Sequence, residues 1–359
     1  MKKNEKIMEV DLLRGFGALA VIAIHLSATF VNYPSDSLVY LVFGILNKVC
    51  HFAVPLFLFI SAFGLMFQTI RKEDLYSEQF YTKRLGSVVW PYLFWTIVYL
   101  LYYRSIDFNL VDPVAAPGEF LLNYLVLGKS CYHLYFMPVL IQFYLIFPVI
   151  WEYYKKHRRK IHPLFSMLIT FGVLAAFQFI YLKIYWDYLY QIFPYSASLI
   201  LAYMIPIGMG VWVACNFREF LHFEKPIKVC LVLLAILTGA AFTVRQLFPE
   251  IGFRSYIMPM TYAALISMVL LYFSDNISHF VNPFVDFIED VSNHSLTIYL
   301  VHPLVLLVLE NNLGWDMLPI TGDVFWNYLL NFVLKYICVF EVSIVFARCV
   351  RFILKKMGA

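Results

Sequence analysis

The chain reads as a succession of long apolar runs divided by short polar segments. The runs are continuous, whereas a membrane β-barrel shows alternating segments of about ten residues. An α-helix needs roughly 20 apolar residues to cross a bilayer. On that measure the pattern predicts helices near 9–31, 38–69, 85–103, 133–152, 163–184, 196–216, 227–246, 255–274, 281–309 and 326–354. Some are long enough to tilt or to extend past the bilayer. The expected fold is an all-α, polytopic membrane protein of about ten transmembrane helices. With no internal repeat and no appended soluble segment, residues 1–359 are expected to form a single integral-membrane domain.

Composition agrees. Of 359 residues, 62% are hydrophobic and 14% charged, against roughly 45–50% and 25% in a soluble domain. That leaves too few polar side chains to cover a water-soluble surface, and it excludes disorder for the same reason. Cys50, Cys131, Cys215, Cys230, Cys338 and Cys349 form no CxxC or comparable pair. They predict neither a disulfide framework nor a zinc site, and no metal is expected. The basic start at Lys2 and Lys3 leads into an apolar stretch too long for a signal peptide, so the first run is expected to be an uncleaved span.

The net charge of +4 is spread over many short segments. Membrane topology explains that spread better than nucleic-acid binding does, and KKHRRKIH reads as a topology-setting loop. With the N-terminus inside, alternate segments hold Lys2, Lys3 and Lys6, then Arg71, Lys72, Lys83 and Arg84, then Lys155, Lys156, Arg158, Arg159 and Lys160. Arg218, Lys225 and Lys228 follow, and the last segment holds Arg348, Arg351, Lys355 and Lys356. That side carries 19 basic residues and the other five, counting Lys183 with Arg104, Lys129, Arg245 and Arg254. The bias predicts both termini on the cytoplasmic side. The longest outer segment, 104–132, is the candidate external lid or acceptor-facing loop.

Ionisable groups at bilayer depth are costly and usually functional. In the first span Asp11, Arg14 and His25 share one stripe, at about 0°, 300° and 320° around the helix. Arg14 and His25 are roughly 16 Å apart along the axis. The alternative is an Asp–Arg pair anchoring the span end plus one buried histidine. In the ninth span Ser295, Tyr299 and His302 also share a face, with Pro303 disturbing the helix beyond; interhelical packing is the competing account. His51 precedes Pro55, which frees local carbonyls. Glu341, within the tenth span, suits a pairing or a packing role equally. His133 and Tyr135 enter the fourth span among aromatics. They suit an interfacial belt or stacking on a sugar ring.

Several segments together resemble the acyltransferase-3 family of integral-membrane acyltransferases. DLLRGFGALAVIAIH is similar to its opening, whose arginine and histidine correspond to Arg14 and His25. HFAVPLFLFISAFGL, YTKRLGSVVWPYLFWT, HLYFMPVLIQFYLIFPVI and SLTIYLVHP resemble its later segments, in order along the chain. Tyr135 stands in for a tryptophan, and Ser87 stands where many members have a second arginine.

The resemblance implies transfer of an acyl group, commonly acetyl from acetyl-CoA or another acyl-CoA, to a hydroxyl or amine of a carbohydrate, lipid-linked glycan or other small acceptor. It also implies a multi-pass protein among the lipids of a bacterial plasma membrane. Arg14, Lys83 and Arg84 are then the donor-binding cations, since arginine binds phosphate bidentately. His25 is the general base, His302 or Tyr299 polarises the carbonyl or relays the proton, and His133 with Tyr135 seats the acceptor. Asp11, His51, Ser295 and Glu341 support. The alternatives are succinyl transfer, a transporter or flippase, and a non-catalytic partner in polysaccharide export.

Overall fold

Among the described residues the chain is helical, with short turns and no strand. The computed structural model describes residues 8–34, 37–72, 77–106, 110–157, 161–248, 257–278, 283–315 and 324–356. Of the basic residues used for topology, Lys2, Lys3, Lys6, Arg158, Arg159, Lys160 and Arg254 lie outside that set.

In chain order the helices are α1 (Met8–Ala28), α2 (Leu38–Val49), α3 (Ala53–Lys72), α4 (Ser77–Ser105), α5 (Pro117–Phe120), α6 (Phe136–His157) and α7 (Pro163–Ile184). They continue with α8 (Met204–Cys215), α9 (Phe217–Leu221), α10 (Lys225–Leu247), α11 (Met258–Ser278), α12 (Pro283–Leu307) and α13 (Val324–Lys356). Each predicted segment overlaps one of these helices or, for 38–69, α2 and α3 together; 196–216 is α-helical only from Met204, after two 3₁₀ turns, and residues 255–256 and 281–282 lie outside the described residues. Seven helices among the described residues are long and apolar enough to cross a membrane. Ile200–Cys215 and Met258–Ser274 are apolar but shorter, and α13 is 33 residues long. The protein is a polytopic helical membrane protein.

Local chemistry explains the boundaries. Pro163 and Pro226 sit in the first turns of α7 and α10, where a missing N–H costs nothing. Ser37 caps α2 by accepting from the Tyr40 N–H at 3.1 Å. The break between α2 and α3 is a 3₁₀ turn at Cys50–Phe52. Pro55 cannot donate to the His51 carbonyl four residues back, so the ladder is interrupted there. Tyr262 holds the interruption by donating its hydroxyl to the Val49 carbonyl at 2.7 Å.

The chain divides into two compact units, one of Met1–Ile60 with Arg218–Ala359 and one of Ser61–Phe217. In the first, α1 is the central helix, packed against α2, α11, α12 and α13. Its seam with α12 and α13 buries Ala18, Ile22, Leu26, Val291, Ile298, Phe340 and Ile344. Lipid is as apolar as these side chains, so close van der Waals fit holds the helices together. Gly15 is where that fit is tightest. A Cβ there would lie 2.6 Å from the Ile288 carbonyl oxygen and 2.5 Å from its Cγ2.

In the second unit α4 packs on α6 and α7 on α8. Trp90, Phe94, Ile97 and Leu101 form an exposed apolar stripe along α4, and Phe165, Leu168, Ile169 and Val173 form another on α7. Water-soluble proteins rarely expose such continuous apolar surface; these faces suit lipid.

Candidate active site

The first unit gathers the polar residues of α1 and α12. Asp11, buried near the start of α1, accepts from Arg14 Nη1 at 3.1 Å and from Ser292 Oγ at 3.3 Å. The Arg14 side chain is 41% exposed, so its guanidinium is oriented at one edge and accessible at the other. Ser292 makes this contact one turn before Ser295, which is buried on the same helix.

Further along α1, the His25 ring stacks on His302 of α12, with centroids 5.2 Å apart and planes 30° apart. His25 is half-buried, while His302 is 1% exposed. Tyr299 lies beside His302 at 6.1 Å between ring centroids, and Phe57 packs edge-on against Tyr299. His302 Nδ1 is 2.9 Å from the Ile298 carbonyl. A carbonyl can only accept, so Nδ1 carries the hydrogen. In the neutral ring Nε2 is then the acceptor. That arrangement suits proton relay better than polarising a carbonyl, which needs a donor.

His51 lies within electrostatic reach of His25. Its Nδ1 approaches the Asn47 carbonyl at 3.3 Å, and its ring has accessible surface. Asn47 also joins α2 to α1. Its amide donates to the Ile24 carbonyl at 2.9 Å and to Ser27 Oγ at 3.2 Å, while Ser27 donates to the Ala23 carbonyl. This network holds the turn of α1 that bears His25. Sequence reasoning missed Asn47 and Ser27, although a carboxamide inside LVFGILNKVC was a visible signal.

Glu341 is not brought to this site; it is exposed on α13. The acid–base pair that forms is Lys335 with Glu310, at 3.2 Å. Their side chains are 10% and 24% exposed.

The second unit holds the remaining predicted residues. Lys83 is exposed, and Arg84 donates to Gln68 Oε1 at 3.3 Å. His133 is buried with its ring edge-on to Tyr99 at 5.2 Å. Tyr135 instead lines a cavity of about 500 Å³, together with residues of the 104–132 segment and of 185–198. Cys131 also lines it. Burial pushes its thiol up to about 12, so it is an inert thiol rather than a nucleophile.

Within the first unit, α1 and α12 thus bring together a stacked pair of histidines, with Arg14 partly exposed near the start of α1 and an interrupted helix between α2 and α3. The chain belongs to the acyltransferase-3 family, whose model, described as an acyltransferase domain, matches residues 7–348. It is 24% identical over 306 residues to the Staphylococcus aureus (strain MRSA252) protein named "Probable poly-beta-1,6-N-acetyl-D-glucosamine export protein", covering 83% of this chain and 82% of that one. It is 24% identical over 318 residues to the Bacillus subtilis (strain 168) protein named "Putative membrane-bound acyltransferase YfiQ", covering 84% and 82%. No solved structure matches the chain.

Proposed function

We propose that this protein transfers an acyl group, acetyl in the first instance, from cytoplasmic acyl-CoA to a hydroxyl of a cell-envelope or exported carbohydrate. In this reading it crosses the bacterial plasma membrane ten times with both termini in the cytoplasm, as the charge bias supports. The observation that carries the reading is the stacked His25–His302 pair, joining two apolar helices, in a chain of an acyltransferase family.

Arg14 offers its accessible edge to donor phosphate, with Asp11 fixing its direction. Lys83 and Arg84 remain donor-binding candidates by charge. The acceptor oxygen attacks the thioester carbonyl while His25 removes its proton. The tetrahedral intermediate collapses, the C–S bond breaks, and the thiol of CoA leaves with a proton returned by the histidine pair. His302 takes and returns that proton at Nε2, and Tyr299 donates a hydrogen bond to the developing oxyanion. His51 and Asn47 position the α1 turn. In the second unit Tyr135 remains an acceptor-binding candidate by its place in the cavity lining, and His133 packs edge-on against Tyr99.

The test is acyl transfer from radiolabelled acetyl-CoA by purified protein in nanodiscs, with oligosaccharide acceptors. Label is expected to reach the saccharide with wild-type protein and not with His25→Ala, which should remain monodisperse. Full turnover in His25→Ala removes the assignment. A second reading, glycan export without acyl chemistry, is favoured by the name of the Staphylococcus aureus relative. It requires saccharide flux across proteoliposomes with no label transferred.

A further inference from the structure

The 500 Å³ cavity of the second unit has a lining that the acid–base site does not explain. Its volume falls within the roughly 300–1,000 Å³ of small-molecule sites. Tyr103, Tyr124, Tyr132, Tyr135, Trp186 and Tyr195 are among the rings around it, an aromatic density with few charges. Two of the lining tyrosines, Tyr185 and Tyr124, have their hydroxyls committed. Tyr185 donates to the Phe193 carbonyl at 2.7 Å and accepts from Ser196 N–H at 3.0 Å, and Tyr124 accepts from Val111 N–H. Fixed hydroxyls make rigid rings, so the walls present π-faces rather than mobile polar tips. Trp186 and Tyr190 lie 4.7 Å apart between ring centroids, and both are partly exposed.

Two polar groups stand against this aromatic wall. Ser130 is 1% exposed, lines the cavity, and has no hydrogen-bond partner for its hydroxyl. Burying a hydroxyl unsatisfied is costly, so such a group is suited to a ligand. Lys129 places its ammonium over the Tyr195 ring, 3.0 Å from the centroid, and donates to Asn123 Oδ1 at 3.0 Å. An ammonium has three donors, and this one is held over the ring by a cation–π contact. Gly128 turns the chain just before these two residues with φ of +67°. A Cβ there would meet the Leu134 carbonyl oxygen at 2.7 Å. The floor of the cavity is therefore a built turn.

We propose that this cavity is a binding site for a pyranose glycan segment. A pyranose ring presents an apolar C–H face, which is drawn to the electron-rich face of an aromatic ring, and a rim of hydroxyls, which suits Ser130 and Lys129. The cavity lies at the end of α4 that carries Tyr103, roughly 28 Å along the helix from Arg84 at its basic end. It therefore faces away from the cationic end of this unit. The site specifies the acceptor class of the acyl-transfer reading and rests on that reading for its purpose, but its occupancy is measured without any acyl donor.

The experiment is saturation-transfer NMR on nanodisc-embedded full-length protein, titrated with a β-1,6-linked N-acetylglucosamine pentamer. Wild-type protein should bind it. Trp186→Ala with Tyr190→Ala, and separately Ser130→Ala, should weaken binding roughly tenfold, as expected from removing a stacking face or a hydroxyl anchor. Trp90→Ala, on the exposed stripe of α4, should leave it unchanged. No pentamer binding to wild type, or equal binding to the cavity variants, overturns the site. Intact pentamer binding without label transfer overturns only the acyl-transfer reading. Label transfer to water without pentamer binding overturns only the glycan site.

Discussion

If His25 and His302 move one proton between them, their losses on mutation will not multiply. The ring centroids are 5.2 Å apart. Placing a proton on both rings at once costs about 3 kcal/mol at an effective dielectric of 20, which makes them one proton-handling unit. Removing a positioned acid–base group typically costs 10²–10⁴-fold in rate. With about 10³-fold for each single alanine variant, independent action predicts a double variant slower by about 10⁶-fold. Action as a unit predicts about 10³- to 10⁴-fold, a coupling of roughly 3–4 kcal/mol. The assay is single-turnover transfer from radiolabelled acetyl-CoA, with elution profile and thermal midpoint confirming that each variant is folded. Multiplicative losses would refute the paired mechanism even if each histidine proved essential.

Other consequences follow from specific contacts. Gly15→Ala should lower stability by about 1–3 kcal/mol, because its Cβ meets the Ile288 backbone carbonyl as well as the Ile288 Cγ2, and the backbone cannot yield as a side chain can; a fluorescence-detected thermal scan in detergent reads this. Lys335→Met should destabilise by about 3–5 kcal/mol by leaving Glu310 uncompensated. Adding Glu310→Gln should recover most of that loss in the same scan. Asn47→Ala should lower kcat by roughly tenfold or more with little change in KM for the donor, since it releases the α1 turn bearing His25 without touching Arg14. The Cys131 thiol, raised to about 12 by burial, should resist iodoacetamide at pH 8 while exposed Cys349, between Arg348 and Arg351, reacts; peptide mass spectrometry gives the extent.

The helical segments were legible because apolar runs of near-bilayer length leave little choice of structure. The first-span stripe was legible too, because angular spacing alone places Asp11, Arg14 and His25 together. Spacing within α12 likewise put Tyr299 and His302 on one buried face, but their meeting with His25 depends on how two distant helices pack. That information lies in the fit around Gly15 rather than in any local pattern. Glu341 misled for a related reason. A carboxylate in an apolar run suggests an interior partner, yet rotation of α13 leaves it exposed and turns Lys335 inward. Hydrogen bonds such as Asn47 to Ile24 leave a trace in sequence only as an out-of-place polar residue. Nothing in that trace names the partner.

In the proposed mechanism the tether between His302 Nδ1 and the Ile298 carbonyl also limits leakage. An imidazole conducts protons when one nitrogen receives while the other releases. Here the second nitrogen faces an oxygen that cannot pass a proton onward. His302 is thus a terminus and not a conduit. In that mechanism the polar seam exchanges protons with its reactants without opening a route for protons across the membrane.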